Sequence, residues 1–61
     1  KGRVLKIYYC TQTSIEPPTF VFFVNDPEIV SQSFSKHIEN KIREMDTFDG
    51  TPLRLYWRVK Q

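Results

Sequence analysis

Only two glycines occur in the 61-residue chain, Gly2 and Gly50. A Walker A loop or a dinucleotide fingerprint needs clustered glycines to bring backbone amides up to a phosphate, so neither motif exists here. Cysteine and histidine each occur once, as Cys10 and His37. A lone cysteine closes no internal disulfide, which excludes the disulfide-stapled secreted scaffolds and agrees with a reducing cytosol. Cys10 and His37 fall on different elements and make neither a zinc ligand set nor a nucleophilic pair; Cys10 reads as a small strand residue and His37 as a boundary residue. The apolar run Phe20 to Val24 is far shorter than the roughly 20 residues of a membrane helix. No signal-peptide pattern opens the sequence, and no internal repeat or low-complexity tract is visible. Neither sign of charge dominates: nine Lys and Arg against seven Asp and Glu give a net +2. That balance permits contact with an anionic partner without requiring one.

The acidic residues read as structural. Asp26 suits a helix cap, Glu39 and Glu44 are solvated helix charges, and Asp49 is a turn residue. No pair of carboxylates converges with a reason to titrate abnormally. The expectation is therefore a chain that performs no catalysis, holds no metal and binds no cofactor by itself. What it has in quantity is aromatic residues, 15% of the chain. That share matters at this length, because so short a chain hides only roughly 60% of the surface its unfolded form exposes. Residues 1–61 are read as one domain or part of one, and Lys1 in place of Met suggests a piece of a longer protein.

Val4 to Gln12 is β-branched or aromatic without Gly or Pro, and reads as a first strand. Alternation divides it into Leu5, Ile7, Tyr9 and Thr11 on the expected core side, and Val4, Lys6, Tyr8 and Cys10 on the other. Thr13 to Pro18 reads as a connection, since Pro17 and Pro18 donate no ladder hydrogen bonds. Thr19 to Asn25 follows as a second strand. Phe20, Phe22 and Val24 share one of its faces and Val21 and Phe23 the other, and a strand apolar on both faces is expected in the middle of a sheet. Asp26-Pro27-Glu28 reads as a cap, a first helical position and an acidic first turn, with Ile29 and Val30 completing a short turn.

A second start at Ser31 or Ser33 opens the main helix, Ser33 to Asp46. Phe34, Ile38, Ile42 and Met45 form its apolar stripe, flanked by His37 and Lys41, with Lys36, Asn40 and Arg43 opposite. Glu39 and Arg43 stand in the favourable i,i+4 order, which contributes about 0.3 kcal/mol. Phe48 to Pro52 reads as a turn in which Gly50 takes the left-handed conformation. Leu53 to Val59 then alternates, with Leu53, Leu55, Trp57 and Val59 inward and Arg54, Tyr56, Arg58 and Lys60 outward.

The order strand–strand–helix–strand predicts an α+β, two-layer fold. The first two strands pair antiparallel, and the helix crosses over to lay the third parallel to the second. One helix covers a three-stranded sheet poorly, so a further helix before Lys1 is expected. Two basic surfaces stand out. One is the outer sheet face, with Lys6, Tyr8, Arg54, Tyr56, Arg58 and Lys60, where cations alternate with aromatic rings. The other is the helix surface with Lys36, Lys41 and Arg43. Both have the composition of a surface that grips phosphates, and the first also that of one that stacks bases.

Three stretches carry a family resemblance: "PPTFVFFVNDPE", "HIENKIRE" and "FDGTPLRLYWR". They resemble the C-terminal domain of the EngA/Der double-GTPase family, whose pattern runs like Pro-Pro-Thr-Phe-Val-Leu-Phe-Val-Asn, then Leu-Glu-Asn-(Arg/Gln)-Ile-Arg-Glu, then Phe-Gly-Phe-Glu-Gly-Thr-Pro-Ile-Arg-Leu. The match runs in order over nearly the whole chain. It departs at Asp46-Thr47, where the family has a small or aromatic pair, and at His37, where an aromatic residue is common. The resemblance implies a KH-like β-β-α-β domain whose N-terminal family helix lies before Lys1. It also implies a cytoplasmic parent protein with two GTPase domains, acting in assembly of the large (50S) ribosomal subunit. GTP and magnesium would then belong to those GTPase domains, which this chain lacks, and not to residues 1–61. Lys41, Arg43, Arg54 and Arg58 match positions that are commonly basic in the family. The Gly-x-x-Gly loop by which ordinary KH domains clamp single strands has no counterpart, because Asp26 to Ser33 contains no glycine. The partners implied are ribosomal RNA and the GTPase domains of the same protein. The alternative is a purely intramolecular regulatory domain with no direct RNA contact.

Overall fold

The computed structural model describes residues 3–45 and 50–60. The elements run β1 (Ile7–Ile15), β2 (Pro18–Val24), a 3-10 turn (Pro27–Ile29), α1 (Gln32–Met45) and β3 (Arg54–Val59). The strands form one sheet in the order β1-β2-β3, so the two-sided apolar strand is central, as its sequence predicts. β1 pairs antiparallel with β2, and β3 pairs parallel with β2 after the crossover through α1. This is the expected α+β arrangement of β-β-α-β order.

The core lies between β2, β3 and α1. Phe22 and Val24 are its buried apolar residues among those described, and Val24 is fully enclosed at 0% exposure. Phe22 stacks on Trp57 of β3 with ring centroids 4.5 Å apart. Trp57 in turn meets Phe34 of α1 at 6.0 Å and donates its indole N–H to the Ser35 hydroxyl. An indole N–H inside a packed layer needs such a partner, and the helix supplies it one residue beyond the stripe. Thr19, also buried, donates its hydroxyl to the Pro17 carbonyl.

The connections follow the sequence signals. Asp26 caps the short turn by accepting the Glu28 N–H, with Pro27 at the first helical position. The Ser31 hydroxyl accepts the Phe34 N–H and so caps α1, the earlier of the two expected starts. Gly50 has φ +71, the left-handed conformation expected of it. The remainder of that expected turn, Phe48 and Asp49, and the expected helix end at Asp46, lie outside the described residues.

Five expectations need correction. β1 runs from Ile7 rather than Val4 and extends three residues past Gln12, so Thr13 to Ile15, expected in the connection, belong to the sheet edge. The connection shrinks to Glu16 and Pro17, and β2 starts at Pro18, where a strand's first residue tolerates a missing N–H. Met45 is 84% exposed, so the helix stripe ends at Ile42. Val59, expected inward, is 48% exposed at the end of the edge strand β3.

The last correction concerns the faces of β1. Ile7 is opposite Val24, but the next paired residue, Tyr9, is opposite Phe23, so two residues of β1 face one of β2. Such a bulge inverts the alternation that follows it. Cys10 then shares the helix side with Phe22, while Tyr9 and Thr11 share the other with Phe23 and Val21. Ahead of the bulge, Asn25 carries the pairing on with its side chain. Its Oδ1 accepts the Lys6 N–H at 2.8 Å, its Nδ2 donates to the Val4 carbonyl at 2.9 Å, and its backbone N–H donates to the Lys6 carbonyl at 3.1 Å. Arg3 reaches the Asp26 carboxylate in the same region.

Candidate nucleic-acid interface

The sheet face turned away from α1 is open. The parallel register places Arg54 beside Thr19, Tyr56 beside Val21 and Arg58 beside Phe23. β1 adds Tyr9 and Thr11 on the far side of β2. Tyr9 lies flat on Phe23, with ring centroids 4.7 Å apart and planes 24° from parallel. Its outer surface remains in water, the residue being 51% exposed. Tyr8, the extra residue of the bulge, sits under the Lys60 ammonium at 5.5 Å, and the Arg58 guanidinium lies over the Tyr56 ring at 5.7 Å. Such contacts hold a cation in place at an exposed site, for about 0.5–1 kcal/mol. Lys6, one residue before Ile7, falls on this face by alternation.

Sequence reasoning left two basic surfaces equal, and the structure separates them by their counter-charges. On α1 each cation stands near a carboxylate of its own helix. Lys36 lies 4.0 Å from Glu39, Lys41 3.9 Å from Glu44, and Arg43 3.0 Å from Glu39. Arg43 also donates to the Thr51 carbonyl at 3.0 Å, which ties the helix to the segment before β3. Expected to face solvent or a partner, Arg43 is half-buried and engaged within the fold. On the open sheet face no carboxylate stands among Tyr8, Tyr9, Thr11, Thr19, Val21, Phe23, Arg54, Tyr56, Arg58 and Lys60. Among the described residues, none of Lys6, Arg54, Arg58 and Lys60 has a carboxylate within 4.0 Å. All four are exposed. Uncompensated cations interleaved with aromatic rings favour an anionic ligand that has flat surfaces.

The structure thus brings Lys6, Tyr8, Arg54, Tyr56 and Arg58 to one face and leaves Lys36, Lys41 and Arg43 on the helix. Tyr9 belongs to the open face and was misassigned by alternation, because nothing in the sequence of β1 marks the bulge. Phe23 was legible there from the two-sided pattern of β2. His37 is exposed, tilted against Phe34 with centroids 6.4 Å apart. Cys10 is exposed as a residue, yet partial burial of its thiol disfavours the thiolate and pushes its pKa above the ordinary thiol value. Among the described residues no group of three or more His, Cys, Asp or Glu is placed to hold a metal ion, and no helix is long and apolar enough to cross a membrane.

The sequence is similar to those of known proteins. Residues 1–58 match the model of the KH-domain-like family described as C-terminal in EngA bacterial GTPase enzymes. A GTPase Der from Brevibacillus brevis is 53% identical over 60 residues, which cover 98% of this chain and 14% of that relative. The GTPase Der of Symbiobacterium thermophilum is 51% identical and that of Listeria innocua 52%, each over the whole chain and over 13% and 14% of the relative. The chain therefore spans about one seventh of the length of the curated relatives it matches. With the family model covering all of β1, β2 and α1 and β3 up to Arg58, this chain belongs to the KH-domain-like C-terminal domain family of the EngA GTPases.

Proposed function

We propose that this chain is the C-terminal KH-like module of an EngA/Der-type GTPase that acts in assembly of the large ribosomal subunit in the cytoplasm, and that its open sheet face contacts ribosomal RNA. The observation that carries the reading is the row of cations on that face, Lys6, Arg54, Arg58 and Lys60, which no carboxylate among the described residues neutralises. A protein surface keeps such a row at a cost in self-repulsion, and phosphates relieve it. Nucleotide binding and hydrolysis belong to the GTPase domains of the parent protein. The module's own part is recognition, and Lys36, Lys41 and Arg43 serve the fold and its solubility. Docking of the GTPase domains on the same face, with no RNA contact, is the competing outcome.

The test is the salt dependence of binding to large-subunit ribosomal RNA fragments, read by fluorescence anisotropy. Four phosphate contacts to unpaired RNA give a slope of log affinity against log salt of about −3, at about 0.7 per contact. A slope near zero, or no binding at 50 mM salt together with saturable binding to the GTPase portion, replaces the RNA reading with the docking one.

A further inference from the structure

Resting on that reading, we propose that the open face takes RNA as unpaired nucleotides, stacking a base on Tyr9 while Arg58 and Lys60 hold the neighbouring phosphates. Tyr9 is the one tyrosine of this face whose ring is neither buried nor covered by a cation. Phe23 supports it from below at 4.7 Å, and 51% of the residue faces water. A ring held flat on a sheet by a second ring has lost its freedom before any ligand arrives, so stacking on it orders little more. Tyr8 and Tyr56 differ, because Lys60 and Arg58 lie over them. Their rings position those cations and are not platforms themselves.

The register sets the spacing. Tyr9, Phe23 and Arg58 are neighbours on β1, β2 and β3, so the cation lies two strand spacings, about 10 Å, from the platform. Lys60 follows two residues after Arg58 on the same side. A splayed single strand offers bases to Tyr9 and phosphates to Arg58 and Lys60 together. A duplex keeps its base faces stacked inside and presents only phosphates and 2′-hydroxyls to such a surface. The absence of any carboxylate among this face's described residues, where a protein partner of mixed charge would find complements, favours the polyanion over a protein.

The probes are a labelled single-stranded ten-nucleotide RNA and a labelled RNA duplex of twelve base pairs, titrated with the 61-residue chain at fixed salt. The single strand is expected to bind tighter. Tyr9→Leu, which keeps an apolar group on Phe23, lowers single-strand affinity by about 5- to 150-fold, the span that loss of one stacked base allows, and leaves duplex affinity within twofold. Tyr9→Phe restores single-strand binding. Trp57 fluorescence, reporting from the other side of the sheet, stays unchanged in both variants. Equal binding of both RNAs with no effect of Tyr9→Leu overturns the stacking proposal while leaving the cationic face as an RNA contact. Failure of both RNAs to bind overturns both proposals. Loss of duplex and single-strand affinity together in Tyr9→Leu, with Trp57 fluorescence intact, also overturns the stacking role.

Discussion

Replacing Phe22 with alanine destabilises the fold by about 3–5 kcal/mol, the range for a buried aromatic truncated in a core that relaxes only in part. The residue is 7% exposed and stacks on Trp57, the side chain that joins the sheet to α1, so its loss opens a cavity where three elements meet. A domain of this size has a total stability of roughly 3–9 kcal/mol, so the single substitution consumes most of it or all. The next residue is the control. Phe23→Ala removes a half-buried ring covered by Tyr9, and costs about 1–2 kcal/mol. Urea unfolding followed by Trp57 fluorescence measures both. Equal costs at the two positions would mean that the sheet is covered alike on both faces, contrary to the single helix layer described here.

Replacing Arg54 and Arg58 together with alanine lowers affinity for single-stranded RNA by about 10- to 100-fold at 50 mM salt. Each is taken to make one charge-assisted phosphate contact, part of whose energy is returned by residual long-range attraction. The salt slope flattens by about 1 to 2 units, and the variant and the parent converge near 1 M salt, where the Debye length falls to about 3 Å. The paired helix cations give the contrast. Lys36→Ala with Lys41→Ala removes two positive charges that already face Glu39 and Glu44, and changes affinity by less than about threefold, since exposed ion pairs contribute only about 0–1 kcal/mol each. A net-charge effect would make the two double variants equal, because each removes two charges. The local-contact reading makes them differ by an order of magnitude.

Much of this architecture was legible because local chemistry and tertiary need agree. Apolar residues on both faces of Phe20 to Val24 pointed to a central strand, and the sheet order places it there, with Phe22 and Val24 buried on the helix side and Val21 and Phe23 half-buried on the other. The Asp26-Pro27 and Ser31 caps were readable because their partners lie two or three residues away. The clean alternation of β3 fixed which side Arg54, Tyr56 and Arg58 occupy. What stayed hidden depends on pairs of segments. The bulge at Tyr8 is a slip between two ladders, and no property of β1 alone reveals it, so Tyr9 was assigned to the wrong face. Thr13 and Ser14 read as connection because an edge strand facing water has no reason to be apolar. The pairing of Arg43 with Glu39 followed from i,i+4 spacing, but its bond to the Thr51 carbonyl is tertiary and turned an expected surface cation into a fastening of the fold. The distinction between the two basic surfaces has the same origin: it rests on where the carboxylates end up.

The central claim is that recognition belongs to the uncovered side of the sheet. Amide chemical-shift mapping of the chain during titration with single-stranded RNA tests it most directly. The account predicts that the largest perturbations fall on Lys6, Tyr8, Tyr9, Phe23, Tyr56, Arg58 and Lys60, with α1 nearly silent. Perturbations concentrated on Lys36, Lys41 and their helical neighbours, with the open face unmoved, would contradict it.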